Sequence, residues 1–161
     1  MKVASIPADI CAMHHARFTL RVYGLLRHGQ RLLVADELIK GHRITKFPGG
    51  GLEYGEGLKD CLVREIREEV GVEAVDLEHF YTTDFFQQSA FHTEPLQVVS
   101  VYYTFQVPDP GAITVVEEPF SRINGPGDQE VFRWVDLRDA SVEALSLPID
   151  RVVLGMLLAR R

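Results

Sequence analysis

The sequence predicts a single α/β domain. Segments with β-type patterns alternate with only two stretches of helical periodicity, one near the middle of the chain and one at its end. The chain has 161 residues, of which 46% are hydrophobic and 25% are charged, so it is long enough to bury a substantial core. It contains no internal repeat, linker or low-complexity tract. We therefore expect one domain over residues 1–161, with a mixed β-sheet and two helices.

The first half of the chain contains three predicted strands, which occupy residues 18–26, 31–35 and 44–47. The first two should form a hairpin, because the connection around Gly29 favours a tight turn. The third ends at Pro48 and three glycines. A helix should then run over residues 58–70 and end at Gly71. Its apolar stripe comprises Leu58, Leu62, Ile66 and Val70.

The second half adds three predicted strands, which occupy residues 74–86, 96–107 and 131–135. The first two are long and should pair antiparallel across a polar connection. A loop rich in glycine and proline, residues 119–127, precedes the third strand and is a type of segment that substrate sites recruit. The chain should end with a helix over residues 148–161. The side chains expected to face inward are Ile149, Val152, Val153, Met156 and Leu157.

Composition and charge argue against several classes of function. The net charge of -6 provides no basic surface of the kind that nucleic-acid binding usually requires, so we expect no nucleic-acid partner. Residues 1–15 are too short, and too interrupted by Pro7 and Asp9, for a signal peptide or a membrane span, so we expect no membrane association. Cys11 and Cys61 form no C-x-x-C pair, which favours reduced thiols and a cytoplasmic location.

Residues 50–72, called the box below, concentrate glutamates on a glycine-rich turn and the helix that follows it. Glu65, Glu68 and Glu69 stand at positions i, i+3 and i+4, and at about 100° per residue their side chains share one face of a helix. Like charges at this spacing repel each other. A divalent cation relieves the repulsion, and Mg²⁺ prefers carboxylate oxygens and water as ligands. The acidic face therefore predicts a metal site.

The box also fits a longer pattern, G-x5-E-x7-R-E-U-x-E-E-x-G-U, in which U is aliphatic. The residues that fill it are Gly50, Glu56, Arg64, Glu65, Ile66, Glu68, Glu69, Gly71 and Val72. From background composition, its seven fixed residues would arise by chance about once in 10⁸ windows. The pattern resembles the signature of the Nudix hydrolase family, and every position is filled. The resemblance implies an α/β/α sandwich, in which the box helix and the C-terminal helix flank a mixed β-sheet.

The resemblance further implies hydrolysis of a diphosphate linkage in a nucleoside diphosphate joined to another group X, by attack of water on phosphorus. It implies Mg²⁺, or alternatively Mn²⁺, as cofactor and a small-molecule nucleotide as substrate. Glu65 and Glu69 would be the principal metal ligands, assisted by Glu68 and the Gly49 carbonyl. The general base would be Glu65 or Glu68, and both remain candidates. The habit of the family suggests a possible homodimer.

Several residues around the box have expected supporting roles. Gly50 lets the backbone turn sharply beside a ligand, and Glu56 can bind backbone N–H groups or a cation at the start of the helix. Arg64 offers forked donors and should hold a neighbouring carboxylate, for which Glu56 is the candidate. Three cations could hold a terminal phosphate, and Lys46 is the best placed of Arg21, Arg43 and Lys46.

A further carboxylate is expected downstream of the box. The candidates are Glu117, Glu118, Asp128 and Glu130. Glu130 is preferred because it directly precedes a predicted strand at the end of a loop, where the Nudix family often places an extra acid. Most aromatic residues of the later strands should belong to the core. Those that flank the variable polar stretch are better candidates to stack on a nucleobase, namely Phe85, Phe86 and Phe91.

The sequence leaves the substrate open. The signatures that distinguish Nudix subfamilies do not fall in place downstream of the box, where residue 87 is glutamine. Nucleoside triphosphates, nucleotide sugars and ADP-ribose are therefore alternatives. A non-catalytic nucleotide- or ADP-ribose-binding module is a further alternative, although such relatives usually lose box acids that are present here. An enzyme acting on capped RNA ends would need a basic surface, against which the net charge argues.

Overall fold

The computed structural model describes residues 17–127 and 129–160. The opening segment with Cys11 and the candidate acid Asp128 lie outside the described residues. Within those ranges the chain forms seven strands, two α-helices and several short helical turns. The predicted α/β fold is therefore confirmed, and the arrangement of its strands explains where the box lies.

Six of the strands lie where alternating hydrophobicity predicts them, and the seventh is a short glycine strand that alternation could not indicate. In chain order they are β1 (Arg17–His28), β2 (Arg31–Ile39), β3 (His42–Lys46), β4 (Gly49–Gly51), β5 (Val75–Thr82), β6 (Leu96–Gln106) and β7 (Gln129–Asp136). The predicted antiparallel pairing of the two long strands is confirmed by β5 and β6. However, β5 ends four residues earlier than predicted, at Thr82.

The helices among the described residues are α1 (Leu58–Glu65) and α2 (Pro148–Leu158). The prediction of one regular helix over residues 58–70 is wrong in its second half, because Ile66–Val70 winds in a wider turn. There the Gly71 N–H donates to the Ile66 carbonyl, five residues earlier, at 3.1 Å. Gly71 ends the turn in the left-handed conformation, as predicted. No helix in the described ranges is long and apolar enough to cross a membrane.

The strands form one mixed sheet that opens along its middle. The hydrogen-bonded order is β3-β2-β1-β6-β5, with β4 paired to β1 and β7 paired to β2. β1 runs parallel to β6 but pairs antiparallel with β2 only beside their hairpin turn. Beyond that point β2 pairs with β3 instead, and β1 pairs with β4. The chain therefore crosses between the two halves of the sheet at Phe47 and Pro48, immediately before the box.

Two hydrophobic layers cover the sheet, one on each face. The first layer contains Leu62 and Ile66, which are fully buried against β1 and β6. The second layer contains Ile149 and Val153 of α2, which pack on the opposite face against alternate residues of the same strands, such as Tyr23. The predicted sandwich, with the mixed sheet between the box helix and the C-terminal helix, is therefore confirmed.

The inward face of α2 differs from the prediction at one position. Val152 is 38% exposed, whereas Leu154 is buried. The reason is Asp150, which is fully buried and accepts a hydrogen bond from the Tyr102 hydroxyl at 2.6 Å. At about 100° per residue, a buried face that includes Asp150 also includes Leu154 and turns Val152 toward solvent.

Candidate active site

The box begins where the two halves of the sheet separate. There β4 pairs with β1 through Gly49, Gly50 and Gly51. Gly49 has a φ angle of 128°, and a side chain at this position would collide with the Val22 carbonyl, so the position requires glycine. A side chain at position 50 would overlap the Glu65 carboxylate. The bare glycine backbone thus allows an acid of α1 to lie directly against the sheet.

Arg64 holds several acids of the box in place. Its guanidinium donates to both oxygens of Glu56, at 3.0 and 2.7 Å, and to Glu65 Oε1 at 2.9 Å. It also donates to the Gly51 carbonyl at 3.0 Å and to Glu68 at 3.3 Å. The hydrogen bonds from Arg64 lower the pKa of Glu56 to about 2. Glu56 is therefore a permanently ionised partner of Arg64, and the pair fixes the start of α1 to the glycine turn.

The widened turn after α1 directs Glu65 and Glu69 toward the same part of the backbone. The Glu65 carboxylate lies over Gly50, and Glu69 accepts a hydrogen bond from the Gly49 N–H at 3.2 Å. A turn with i→i+5 bonds contains more residues than the 3.6 of an α-helix, which brings residues four apart closer to vertical alignment. Glu68 instead projects outward, with 61% of its side chain exposed. The structure thus separates the three glutamates that α-helical spacing places on one face.

Lys46, at the end of β3, is a buried cation beside these acids. Its ammonium lies 3.2 Å from Glu130 Oε1 and 3.4 Å from Glu37 Oε2, and it donates to the Gly49 carbonyl at 3.3 Å. Glu37 and Glu130 stand opposite each other on β2 and β7. Only 4% of the Lys46 side chain is exposed. Lys46 is therefore engaged by the protein itself, and its contact with a terminal phosphate stays a prediction.

The carboxylates around Lys46 are incompletely neutralised. Burial, together with the Glu130 and Glu65 carboxylates, raises the pKa of Glu69 to about 7 against the opposing effect of Lys46. Burial also raises the pKa of Glu130. Glu130 Oε1 is buried and accepts no well-directed hydrogen bond, although it lies within ion-pair distance of the Lys46 ammonium. This cluster of acids, with one cation among them, has the capacity to bind further positive charge.

The donor set fits a hard divalent cation. Glu65, Glu69 and the Gly49 carbonyl provide oxygen atoms, which are the ligands that Mg²⁺ and Mn²⁺ prefer. Glu130, on a facing strand, adds a carboxylate whose buried Oε1 lies 3.2 Å from the Lys46 ammonium. Across residues 17–127 and 129–160, no three His, Cys, Asp or Glu side chains are already gathered around one point.

A cavity of about 380 Å³ opens between the diverging halves of the sheet; residues 50–72 do not line it, but Arg21 and Lys46, which contact or pair with the glycine turn, do. Arg21 and Lys46 line the end nearest the box. Many of the other lining side chains are apolar, and they come from β1, β2, β3, β6, the start of α2 and the loop between β5 and β6, which contributes Phe91. Gln87 also lines the cavity, with a buried side-chain oxygen that has no partner among the described residues. Apolar walls with a few convergent polar groups are typical of small-molecule sites.

The structure brings only part of the predicted set together. Gly49, Glu69 and Glu130 meet around Lys46, and Glu65 lies over the neighbouring Gly50. Glu117 and Glu118 are exposed on their loop. Phe85 and Phe86 are also exposed, so Phe91 is the predicted stacking residue that lines the cavity. Arg43 lies over the Phe120 ring instead of lining the cavity.

The sequence alone did not indicate Tyr23 or Glu37 as site residues, and it ranked Arg21 below Lys46 as a candidate to bind a terminal phosphate. Polar residues on strands usually face solvent, which is why their sequence context was uninformative. One signal could have been used, because Arg21 and Tyr23 are two residues apart and must share one face of β1. Glu37 reaches the site only through the pairing of β2 with β3 and β7, which a local pattern does not specify.

The fold and the site define the protein as an α/β/α sandwich with an acidic turn and helix at the end of a ligand-sized cavity. A family model described as the NUDIX domain matches residues 17–154. The chain therefore belongs to the Nudix family, and the resemblance found in its sequence is confirmed.

Solved structures share this fold over most of its length. A NUDIX hydrolase from Nitrosomonas europaea has a TM-score of 0.64 at 18% identity, with 89% of this chain and 90% of that chain covered. A MutT NUDIX hydrolase from Burkholderia pseudomallei has a TM-score of 0.63 at 19% identity, with 86% of this chain and 97% of that chain covered. At these identities the similarity establishes the fold.

Curated relatives match shorter stretches. The NAD-capped RNA hydrolase NudC of Pseudomonas aeruginosa is 34% identical over 70 residues, which are 43% of this chain and 25% of NudC. An RNA pyrophosphohydrolase of Campylobacter jejuni is 44% identical over 34 residues, which are 21% of this chain and 22% of that protein. The chain thus spans about a quarter of the length of the curated relatives that it matches.

Proposed function

We propose that the protein is a metal-dependent hydrolase that cleaves a diphosphate linkage in a nucleoside diphosphate joined to another group X. The observation that carries the proposal is the position of Glu65 and Glu69 against the backbone of Gly49 and Gly50, next to Lys46, which lines a cavity of about 380 Å³. Every acid of the box pattern is present, which favours an enzyme over a non-catalytic nucleotide-binding module. Membership of the Nudix family supports the same class of reaction.

In the proposed site, Glu65, Glu69 and the Gly49 carbonyl hold Mg²⁺ or Mn²⁺, with Glu68 assisting. The bound metal would neutralise the diphosphate and lower the pKa of a bound water. Arg64 orients Glu65 through its hydrogen bond to Oε1. Either Glu65 or Glu68 accepts the proton of the attacking water, and both carboxylates lie within reach of the same guanidinium.

The candidate substrates are nucleoside triphosphates, nucleotide sugars and ADP-ribose, which all carry a diphosphate. The test is to incubate the purified protein with each of them and Mg²⁺ or Mn²⁺ in ¹⁸O-labelled water, and to identify the products by mass spectrometry. We expect turnover of at least one candidate, with the label on phosphorus. Turnover should disappear on metal chelation and in Glu69→Gln. Binding of these compounds without product would instead identify a nucleotide-binding module.

A 5′-modified RNA is the second candidate substrate, because curated relatives are named for hydrolysis of NAD-capped RNA and as RNA pyrophosphohydrolases. The net charge of -6 argues against a polymer. The panel should therefore pair a triphosphorylated RNA with a nucleoside triphosphate and an NAD-capped RNA with free NAD. A preference for RNA that weakens steeply with salt would favour the polymer.

Three further expectations from the sequence stay predictions, namely one domain over residues 1–161, a homodimer and a cytoplasmic location. Analytical ultracentrifugation of the purified protein would check the oligomeric state. Limited proteolysis would check for a second folded unit, and fractionation of expressing cells would check the location.

A further inference from the structure

We propose that Arg21 binds a phosphate group of the substrate and that Tyr23 positions Arg21 for this contact. The inference rests on the function proposed above and adds two residues outside the box. Lys46 ranks first for this task in the sequence, but in the structure it is nearly fully buried among carboxylates. Arg21 also lines the cavity, and no carboxylate of the described residues lies within ion-pair distance of its guanidinium.

Arg21 lies where the cavity meets the box. Alternate residues of β1 share one face of the strand and line the cavity, namely Thr19, Arg21 and Tyr23. Arg21 stands in register with Gly51 of β4, next to Gly50, on which the Glu65 carboxylate lies. A diphosphate held at the box acids and extending into the cavity would therefore pass Arg21.

The Arg21 guanidinium is held from one side. Its Nε donates to the Tyr23 hydroxyl at 2.7 Å, and its central carbon lies 5.6 Å from the centre of the Tyr23 ring. Within residues 17–127 and 129–160, no carboxylate forms an ion pair with Arg21, whereas Arg64 pairs with three carboxylates and Arg133 with one. The two terminal nitrogens of Arg21 are therefore free to donate to a molecule in the cavity.

Tyr23 is itself fixed by the core. Its side chain is almost fully buried, and its ring stacks on that of Tyr102 with the ring centres 5.4 Å apart. Tyr102 in turn donates a hydrogen bond to the buried Asp150 of α2 at 2.6 Å. This series of contacts runs from the C-terminal helix to the cavity wall. It fixes the hydroxyl that receives Arg21 Nε, and thus the direction in which the guanidinium faces.

The chemistry of this arrangement favours a phosphate. A guanidinium presents parallel N–H donors that match two oxygens of a phosphate. A half-buried guanidinium whose donors no carboxylate occupies also gains from an anionic ligand, which supplies charged hydrogen bonds to those donors. The box acids need a metal ion between themselves and a phosphate. Arg21 can instead bind the neighbouring phosphate directly, on the cavity side of the box.

Isothermal titration calorimetry with inorganic pyrophosphate and AMP, without metal, tests the inference apart from turnover. The wild type is compared with Arg21→Ala, Arg21→Lys and Tyr23→Phe. Arg27→Ala is the matched control, because Arg27 is an exposed arginine on the same strand. Thermal unfolding of each variant confirms that it is folded.

For Arg21→Ala we expect the Kd of both probes to rise about ten- to a hundredfold, because a charged hydrogen-bonding group is lost. Arg21→Lys should recover part of the affinity. Tyr23→Phe should lose less than Arg21→Ala, since the charge remains but its direction is no longer fixed. Arg27→Ala should match the wild type.

Steady-state kinetics add a readout that a purely structural role would not change. With the substrate identified by the panel, Arg21→Ala should raise KM far more than it lowers kcat, and added guanidinium ions should restore part of the loss. Unchanged Kd values in Arg21→Ala, an equal loss in Arg27→Ala, or a wild type that binds neither probe would each overturn the inference. Loss of turnover in Glu69→Gln with unchanged binding in Arg21→Ala would leave the proposed function standing alone. Weaker binding in Arg21→Ala, in a protein that shows no turnover, would support the phosphate contact of Arg21 and contradict the proposed hydrolase function.

Discussion

Two carboxylates in this protein, the fully buried Asp36 and the half-buried Glu69, have opposite hydrogen-bonding states. Asp36 of β2 accepts bonds from Arg133 at 2.6 and 3.2 Å, from the Thr45 hydroxyl at 2.7 Å and from the Phe120 N–H at 3.2 Å. Glu69 of the box accepts a single backbone hydrogen bond. The first carboxylate is therefore saturated by the protein, and the second is left with acceptor capacity in a cluster of like charges.

The difference separates a structural carboxylate from one suited to a ligand. A buried acid with all of its acceptors bonded stabilises the fold and offers a ligand nothing. An acid with few donors is costly to bury until a cation binds. Burial accordingly raises the pKa of Glu69 to about 7. Asp150 is intermediate, because Tyr102 donates to one oxygen and the other oxygen has no hydrogen-bond partner among the described residues.

Glu69→Gln should have the largest effect on activity. The amide keeps an oxygen that can accept the Gly49 N–H but loses the charge that a metal ion needs. We expect kcat to fall by at least about a hundredfold, since loss of even an indirect metal partner typically costs ten- to a hundredfold. The unfolding temperature in EDTA should be unchanged or higher, because repulsion from Glu65 and Glu130 disappears. Turnover close to that of the wild type would exclude Glu69 as a metal ligand, and a lower unfolding temperature would make it a structural acid like Asp36.

Arg133→Ala should have the largest effect on stability. Arg133 donates to both oxygens of Asp36, whose side chain is completely buried. Removing one partner of a buried ion pair leaves an uncompensated charge and should cost about 3 to 5 kcal/mol of unfolding free energy. Urea unfolding measures the cost, and Arg138→Ala is the control because Arg138 contacts Asp136 at the surface. Similar losses of unfolding free energy in Arg133→Ala and Arg138→Ala would contradict the prediction, because the buried Arg133–Asp36 pair would then contribute no more than the surface Arg138–Asp136 pair.

Asp150→Asn should change the pH dependence of stability. Burial raises the pKa of Asp150 from 3.8 to about 6, so the folded state binds this proton more tightly than the unfolded state. The stabilising contribution is therefore fully present below about pH 4 and is lost as the pH rises through 6, by at most about 3 kcal/mol. The asparagine variant keeps an acceptor for Tyr102 and should lack this slope. Parallel stability profiles from pH 3 to pH 8 for the two proteins would refute the prediction.

Local sequence pattern is sufficient for six of the seven strands described, for the box and for the end of its helix. Alternation over β1 and β2 identifies the hairpin, and fixed spacing along one helix identifies Glu65 and Glu69. The wide turn over Ile66–Val70 is not predictable in this way, because apolar residues four apart fit both an α-helix and a wider turn. The separation of Glu68 from its neighbours therefore appears only in the structure.

Contacts between distant segments account for the features that the sequence does not predict. Lys46 looks like an exposed strand end, but Glu37 and Glu130 reach it from β2 and β7. Arg21 looks like a solvated strand residue, yet it lines a cavity because β1 and β2 diverge beside it. Such partners depend on the order of strands in the sheet, and the period of a single strand carries no information about that order.

Lys46→Met should produce the smallest effect and tests whether the protein's own cation balances the acids of the site. The variant leaves Glu37 and Glu130 without their ammonium partner, so without metal it should lose about 1 to 3 kcal/mol of unfolding free energy. Mg²⁺ should then stabilise Lys46→Met more than the wild type, because the added cation compensates a larger excess of negative charge. Thermal unfolding with and without Mg²⁺ measures the difference, with Lys59→Met as the control for an exposed lysine. Equal stabilisation of the variant and the wild type by Mg²⁺ would mean that Lys46 and the metal act independently. In that case Lys46 and Mg²⁺ would not compensate the charge of the same carboxylates.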